Sequence, residues 1–269
     1  MSFKKLNIVV TGSSGFIGSK LVANLVSCGH NICAIDSRLP SNHLIHHCLK
    51  YAPSENAEIL KGNWKNLNLE KDSITTFLHH DLTDITNVSY KLEQFIDKSG
   101  CIDYVFHFAA FWNYKKDFVQ SYQIHNIDCT DNLYNLVSKL GAKKFIFASS
   151  VEALPYVNKW SDMVGPINQY HDLDKIIRHP YGWSKAVSEE CLIRKSNINT
   201  NVVILRLGGV FSDWSELPPL SWLIERWVLS NYRRIIPGKG LTAMPFIHRD
   251  NLMLILQSIM ENENILFDP

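Results

Sequence analysis

At positions 11–18 the chain reads Thr-Gly-Ser-Ser-Gly-Phe-Ile-Gly, directly after an apolar run at residues 6–10. This order predicts a buried strand that enters a glycine-rich turn and then a helix. Gly12 can adopt backbone angles closed to other residues, Gly15 lets a ligand approach the main chain, and Gly18 permits close packing of the helix on the strand. The start of that helix would direct N–H groups and a positive dipole end at the same place. The stretch therefore predicts a pyrophosphate site.

An acidic residue ends the βαβ unit that the glycines open. A helical pattern at residues 16–28 gives way, after Gly29, to an apolar run at residues 32–35 that ends in Asp36. A carboxylate at this point can accept hydrogen bonds from the hydroxyls of an adenosine ribose and repels a 2′-phosphate. We therefore expect NAD as the cofactor. Arg38, two residues further along, keeps NADP as the less favoured alternative.

Composition and charge describe an ordinary globular protein. Of its 269 residues 46% are apolar and 20% are charged, and the formal net charge is +1. A charge so close to zero argues against a dedicated binder of nucleic acid or membrane surfaces. Residues 1–5 lead straight into the first strand, without room for a signal peptide, and no apolar run reaches the roughly 20 residues of a membrane span. The six cysteines form no C-x-x-C pair, so we expect reduced thiols in a cytoplasmic protein.

Apolar runs alternate with helical patterns along most of the chain, which predicts an α/β fold with a Rossmann-type, doubly wound parallel sheet. Residues 40–72 interrupt the alternation and are expected to hold one helix and a long exposed loop. We expect a dinucleotide-binding domain at residues 1–210 and a small, reduced substrate-binding region at residues 211–269, interleaved with the end of the first domain. Further strands are predicted at residues 74–80, 102–108, 143–148 and 201–207, and helices at 88–98, 121–140 and 181–196.

Two histidine-rich pieces raise the question of a metal site. His43 and His47 would share a helix face, but no carboxylate or cysteine stands at companion spacing, so we expect a solvated helix and no metal. His79 and His80 precede Asp81 at the end of a predicted strand. The Asp81 carboxylate would face either a ligand or only a turn, and the residues alone leave both open.

A tyrosine and a lysine four residues apart carry the candidate chemistry. Pro180 suits the first turn of a helix, on which Tyr181 and Lys185 would be surface neighbours. A phenol has a pKa of about 10, but an ammonium within a few ångströms favours the phenolate. Ser150 follows an apolar run at the expected carboxyl end of a strand, where ligands of open α/β sheets bind. It can steer a substrate oxygen towards Tyr181 as a positioning group and not as a nucleophile.

Taken together, these motifs resemble the extended short-chain dehydrogenases/reductases, the family of NAD-dependent sugar epimerases and dehydratases. The resemblance covers nearly the whole chain. The residues that carry it, in chain order, are Thr11-Gly12-x-x-Gly15-Phe16-Ile17-Gly18, Asp36, Asp81-Leu82, His107-Phe108-Ala109-Ala110, Asn126, Ser149-Ser150, Pro180-Tyr181-x-x-x-Lys185 and Leu205-Arg206.

The resemblance implies a role for each matching residue. Tyr181 would be the acid/base, Ser150 its partner, and Lys185 the residue that also holds the nicotinamide ribose, with Asn126 as a supporting group. The remaining implied contacts are Gly12, Gly15, Phe16, Ile17 and Gly18 with the pyrophosphate, Asp36 with the adenosine ribose, Asp81 and Leu82 with the adenine, and Ala109 and Ala110 with the nicotinamide ribose.

The reaction within the family stays open at this point. We expect hydride transfer at a secondary alcohol or ketone, of the epimerase or dehydratase kind on a sugar nucleotide, with Glu152 as a candidate base for dehydration. The segment at residues 149–153 also resembles 3β-hydroxysteroid dehydrogenases, in which this glutamate is not a dehydration base. A dinucleotide-binding regulatory protein without turnover is the alternative from another class. The family also suggests a homodimer formed through the helices at residues 121–140 and 181–196.

Overall fold

The structure is a computed structural model that describes residues 5–41, 67–70, 73–113, 119–154, 179–196, 200–213, 225–226, 231 and 245–262. The chain divides into two compact units. The first comprises residues 1–206 together with residues 267–269, and the second comprises residues 207–266. No helix among the described residues combines the length and the apolar character that crossing a bilayer requires.

A seven-stranded sheet forms the centre of the first unit, in the order β3-β4-β2-β1-β5-β6-β7. Six of its strands form the parallel Rossmann-like part, and β3 pairs antiparallel with β4 at the edge. The chain starts at the middle strand and extends the sheet in both directions, which confirms the doubly wound topology. The strands are β1 (Asn7–Thr11), β2 (Asn31–Asp36), β3 (Leu67–Glu70), β4 (Ser73–His79), β5 (Tyr104–His107), β6 (Lys144–Ser150) and β7 (Asn201–Leu207).

Helices follow the parallel strands at the places that the sequence predicts. One feature is unexpected, because a six-residue π-helical turn, Gln123–Asp128, lies between two α-helical segments. The described residues of the first unit form the helices α1 (Phe16–Ser27), α2 (Ile85–Ser99), α3 (Val119–Tyr122), α4 (Cys129–Lys139) and α5 (Pro180–Lys195), and a short 3₁₀ turn covers Val151–Ala153.

One core cluster of the first unit lies between the sheet and the helices on one of its faces. Val9, Val105 and Phe145 supply it from neighbouring strands, and Leu92 and Leu133 supply it from α2 and α4, all with no exposed surface. The central strands β1, β2, β5 and β6 are buried along their length, as expected where helices cover both faces of a parallel sheet. Continuous burial of this kind is what the apolar runs predict.

The expectation for residues 40–72 is wrong at one place. Leu67–Glu70 is a strand and not part of an exposed loop, since it pairs antiparallel with β4. The four residues Leu-Asn-Leu-Glu do alternate apolar and polar side chains, the period of a strand, but over a length too short to stand out in a polar tract. The helix expected in this interval, together with His43 and His47, lies outside the described residues.

The described residues of the second unit form a small parallel pair of strands and a helix. Strand β8 (Gly209–Phe211) pairs with β9 (Phe246–His248), and α6 (Arg249–Glu261) follows at once. The His248 side chain caps α6 by accepting a hydrogen bond from the main-chain N–H of Asp250. The turn from strand to helix at this point therefore has a local cause in a side-chain cap.

Candidate active site

The loop between β1 and α1 is built around close main-chain contacts that leave no room for a β-carbon. Gly12 has a φ of +68°, and a Cβ there would lie 2.6 Å from the main-chain nitrogen of Ala109. A Cβ on Gly18 would lie 2.2 Å from the carbonyl oxygen of Gly12. Gly18 thus brings α1 against the loop itself, more directly than against the strand. No side chain caps α1 at Gly15, so its amino end meets the criteria of an anion site.

Asp36 ends β2 beside this loop and is nearly buried, with 8% of its surface exposed. One carboxylate oxygen accepts a hydrogen bond from the main-chain N–H of Ser14 at 2.9 Å, and the other accepts one from that of Arg38 at 2.8 Å. Arg38 also places its Nε 3.6 Å from the carboxylate, on a side chain that is 70% exposed. The carboxylate is therefore held in a fixed orientation by the glycine loop and keeps further acceptor capacity.

A shallow depression lies next to Asp36 at the carboxyl ends of β2 and β4, with Ser14, Arg38, Leu78 and His79 among the residues that line it. Asp81 and Leu82 follow β4. The Asp81 side chain is exposed and accepts hydrogen bonds from the N–H and hydroxyl of Thr83. Leu82 packs in the core with 7% exposed surface. The Asp81 carboxylate therefore makes a local turn in this structure.

Sequence reasoning names His107 only as part of a motif, but the structure gives it a central place. It ends β5 with no exposed surface, and its ring nitrogens lie 2.6 Å from the Thr11 hydroxyl and 3.0 Å from the Thr130 hydroxyl. Burial, and secondly the charge of Lys185, lower the pKa of His107 to about 3. The neutral imidazole therefore joins the glycine loop's strand to α4. Thr11 in turn accepts a hydrogen bond from the N–H of Ala109 at 3.4 Å.

Ser150 and Tyr181 meet at the carboxyl end of β6. The Ser150 hydroxyl accepts the N–H of Glu152 at 3.1 Å, and its hydrogen bond with Tyr181 opposes a rise in the Tyr181 pKa. Burial above all, then the charges of Glu152 and Tyr122, raise the pKa of Tyr181. His179, which precedes α5, accepts the main-chain N–H of Tyr181 and so fixes the start of this helix.

Lys185 lies one turn after Tyr181 on α5, as the spacing predicts, but its ammonium is directed elsewhere. Its Nζ donates to the carbonyl oxygen of Ala148 at 2.7 Å and lies 5.8 Å from the centre of the Tyr181 ring. Burial lowers the pKa of Lys185 to about 7, against the opposing charge of Glu189. The expected lowering of the Tyr181 pKa by this ammonium is therefore not found, because burial of the phenol outweighs it and the carbonyl takes the ammonium's hydrogen bond.

A buried ion pair behind Lys185 escaped the sequence reasoning. Glu189 is buried one turn further on α5, and Arg206 on β7 donates to it through Nε at 3.0 Å and Nη2 at 2.7 Å. The Ser149 hydroxyl also donates to the Glu189 carboxylate. This pairing joins β6, β7 and α5 directly beneath the residues of the candidate site. The partners are 17 and 40 residues apart in the sequence, so no local pattern indicates them.

Asn126 occupies the π-helical turn and connects two parts of the site. Its side chain pairs with both main-chain groups of Phe111, accepting from the N–H at 2.7 Å and donating to the carbonyl at 3.0 Å. It also donates to the Ser184 hydroxyl at 2.9 Å, and Ser184 donates to the carbonyl of Tyr181 at 2.7 Å. The supporting role that the resemblance implies for Asn126 has a physical basis in these contacts.

The described residues therefore fit a bound dinucleotide on their own geometry. The glycine loop, the amino end of α1 with its Phe16 and Ile17, and Asp36 form one continuous edge. Ala109 and Ala110 follow β5 next to Gly12, at the same end of the sheet as Ser150. Trp112 is the one described member of the aromatic set Trp112, Tyr114, Trp160, Trp214 and Trp222, and it is 42% exposed. No group of potential metal ligands occurs among the residues whose side chains are described.

Comparison with known protein families gives a match that covers most of the chain. The NAD dependent epimerase/dehydratase family matches residues 8–265. A UDP-glucose 4-epimerase from Pisum sativum is 28% identical over 203 residues, which make up 74% of this chain and 51% of that protein. The chain spans about half the length of the first curated relatives it matches.

Solved structures give the same fold. The UDP-glucuronic acid 4-epimerase from Bacillus cereus, in complex with UDP-glucuronic acid and NAD, matches with a TM-score of 0.65 at 23% identity, over 96% of this chain and 74% of that chain. The Bordetella bronchiseptica enzyme WbmG, in complex with NAD and UDP, matches with a TM-score of 0.67 at 18% identity, over 94% and 68% of the two chains. These likenesses confirm the Rossmann-type α/β fold that the sequence predicts.

Proposed function

The chain belongs to the NAD dependent epimerase/dehydratase family, and from this membership we propose that it is an NAD-dependent enzyme acting on a sugar nucleotide. The reaction is hydride transfer at a secondary alcohol or ketone, of the epimerase or dehydratase kind. The observation that carries this proposal is the meeting of Ser150, Tyr181 and Lys185 at the same end of the sheet as the glycine loop. The related UDP-glucose 4-epimerases support the substrate class.

The residues of the first unit would hold the cofactor in three places. The loop with Gly12, Gly15 and Gly18, continued by Phe16 and Ile17, takes the pyrophosphate at the amino end of α1. Asp36 accepts the hydroxyls of the adenosine ribose and disfavours a 2′-phosphate. Asp81 and Leu82 lie towards the adenine side. Ala109, Ala110, Asn126 and Lys185 form or support the nicotinamide end.

Tyr181 performs the proton transfer and Ser150 positions the substrate oxygen. When bound, NAD supplies the acceptor for the hydride that leaves the alcohol carbon, and its reduced form supplies hydride for the return step. Tyr181 takes the proton of the substrate hydroxyl as that carbon becomes a carbonyl, and gives it back when the carbonyl is reduced. Tyr181 can take this proton only as the phenolate. Burial raises the pKa of Tyr181 and disfavours that form, and the positive charge of a bound oxidised nicotinamide would favour it.

Glu152 supports the dehydratase branch of this proposal. It follows Ser150 by two residues, its side chain is exposed, and its charge acts on both Tyr181 and Tyr122. A carboxylate near the acid/base residue is suited to take a proton from a carbon next to a carbonyl. An epimerase that removes and returns hydride at the same carbon does not require such a base.

We propose further that two chains associate through the helices at residues 121–140 and 181–196. Ile124 is 39% exposed and Ile193 is 42% exposed on these helices, and such a contact would remove both side chains from water. A monomeric mass in solution would contradict it.

The five cysteines that the structure describes are free, which supports a cytoplasmic location. Residues 211–269 are proposed as the substrate-binding region.

A substrate screen tests the proposed reaction. The protein is incubated with NAD and a panel of UDP-sugars and hydroxysteroids, while absorbance at the reduced nicotinamide band and the NMR spectrum of the substrate are followed. Change of a sugar nucleotide without net reduced cofactor is expected, and net reduction with a hydroxysteroid would favour the dehydrogenase alternative. The rate of a Tyr181→Phe variant should be lower by roughly 10²- to 10⁴-fold. Full activity in Tyr181→Phe would contradict the assignment of Tyr181 as the acid/base. NAD binding by the wild type without any turnover would favour a regulatory protein.

A further inference from the structure

A segment of main chain leaves the sheet after β5 and is held by side chains in place of a neighbouring strand. Residues 108–113 continue from β5 and contain Ala109 and Ala110. Asn126 pairs with both main-chain groups of Phe111. Tyr122 does the same two residues further along, since its hydroxyl donates to the carbonyl of Asn113 at 2.8 Å and accepts the N–H of Asn113 at 3.0 Å.

The two side chains act from successive turns of one helical stretch. Tyr122 ends α3, and Asn126 lies four residues later in the π-helical turn. Phe111 and Asn113 are two residues apart, the spacing at which an extended chain presents groups on the same side. A π-helical turn changes the direction in which side chains leave a helix, and such turns occur often at functional sites. Here the turn begins directly after Tyr122 and contains Asn126.

Tyr122 also contacts the helix that carries the acid/base residue. Its ring is fully buried, and its centre lies 6.3 Å from that of the Tyr181 ring and 6.1 Å from that of His179. Phe111 meets it edge-on at 5.1 Å. Tyr122 therefore touches the segment after β5 with its hydroxyl and the start of α5 with its ring.

We propose that Tyr122 is a positioning residue that sets the distance between the segment at residues 108–113 and the Tyr181 phenol. The inference rests on the proposed function, in which that segment lies at the nicotinamide end and Tyr181 is the acid/base. The hydroxyl of Tyr122 holds the segment in position through its hydrogen bonds to Asn113. Its ring packs beside the Tyr181 ring and limits where the phenol can lie. Burial raises the pKa of Tyr122, so its hydroxyl keeps the proton that it donates to Asn113 at neutral pH.

A pair of tyrosine-to-phenylalanine variants tests this role. Tyr122→Phe removes the hydroxyl and keeps the ring. Tyr134→Phe is the matched control, because Tyr134 is 1% exposed and its hydroxyl donates to the carbonyls of Lys195 at 3.1 Å and Thr200 at 3.3 Å, away from the site. Both variants lose a buried hydroxyl with main-chain partners, so both should lose comparable stability. Only Tyr122→Phe should change the site.

The readouts are the dissociation constant for NAD by calorimetry, kcat and KM with the converted sugar nucleotide, and the melting temperature. Tyr122→Phe is expected to weaken NAD binding roughly fivefold and to lower kcat about tenfold, because small displacements of reacting groups reduce rate steeply. Its KM for the sugar nucleotide should stay within about twofold of the wild type. Tyr134→Phe should leave all three constants unchanged. Equal responses of the two variants at equal stability would overturn the proposal.

Two further arms keep the test decisive. Should Tyr122→Phe fail to fold, Asn113→Gly loosens the held segment from the other side, and the proposal expects weaker NAD binding there too, because glycine adds backbone freedom. Unchanged NAD binding in Asn113→Gly would overturn it. Wild-type protein that binds NAD but converts no sugar nucleotide contradicts the proposed function, and the NAD comparison of the two tyrosine variants still decides the role of Tyr122.

Discussion

The two ends of the central sheet both bury polar side chains, but they bury them differently. At the amino end, Asp103 accepts the N–H of Asn7 at 2.9 Å and pairs with Lys143, whose side chain is 59% exposed. Asn31 donates to Asn7 at 2.7 Å. These bonds tie the beginnings of neighbouring strands together, and the cation among them remains in water.

At the carboxyl end two buried ionisable groups have strongly lowered pKa values. His107 has no exposed surface and a pKa of about 3, and Lys185 is 2% exposed with a pKa of about 7. Their hydrogen bonds go to Thr11 at the end of β1, to Thr130 on α4 and to Ala148 on β6. Strong shifts of this kind cost stability and are typical of sites with chemistry. The contrast indicates that the polar contacts at the amino end stabilise the sheet. The buried groups at the carboxyl end lower the free energy of unfolding and serve the candidate site.

Of the three substitutions, Gly12→Ala should disturb the dinucleotide site at the carboxyl end most. The new Cβ would lie 2.6 Å from the nitrogen of Ala109, at a φ of +68°, so the loop must move away from the segment after β5. We expect NAD affinity to fall by about 100-fold, measured by calorimetry. Gly141→Ala is the matched control, because Gly141 has a φ of +77° but no atom within 4 Å of its Cβ position. Equal loss of NAD affinity in both variants would show that backbone strain, and not the close approach to Ala109, causes the effect.

His107→Asn should reveal the cost of burying an imidazole. The folded pKa of about 3 lies below the ordinary value of 6.5, so the unfolded chain takes up the proton first and stability is lost as pH falls from 6.5 towards 3. Asparagine cannot titrate. The variant should be less stable than the wild type at pH 7, and the difference should narrow by roughly 2 kcal/mol at pH 5. Urea midpoints at the two pH values measure it, and a constant difference would show that His107 is not buried neutral.

Asp103→Asn should have the smallest effect, and only on stability. The variant keeps an acceptor for the N–H of Asn7 and loses the charge opposite Lys143. Because that lysine is mostly exposed, screening limits the loss to about 1 kcal/mol in urea unfolding. The NAD dissociation constant should not change. A weaker NAD complex in Asp103→Asn would mean that the two ends of the sheet are not independent.

The sequence alone predicts those features of the carboxyl end that depend on residues close together in the chain. The unit from β1 to Asp36, and Tyr181 with Lys185 on one helix, follow from apolar runs, glycines and a spacing of four. The contacts of His107 and Glu189 did not follow, because their partners lie 17 to 96 residues away.

Two local features were also missed. The edge strand β3 has only four residues and receives its order from pairing with β4. The π-helical turn at Gln123–Asp128 has no residue signature that separates it from an α-helix. It is recognised only from the main-chain hydrogen bonds of the folded chain. The direction of the Tyr181 pKa was misjudged for a related reason, since burial of the phenol is a property of the packed site and not of the motif.

Titration of the wild-type protein with NAD and with NADP tests most directly whether the carboxyl end is a dinucleotide site of the expected kind. Asp36 is held by the N–H groups of Ser14 and Arg38, so its carboxylate cannot turn away from a 2′-phosphate without breaking those bonds. We predict that NAD binds at least about tenfold more tightly than NADP. Tighter binding of NADP, or no binding of either dinucleotide, would contradict the account.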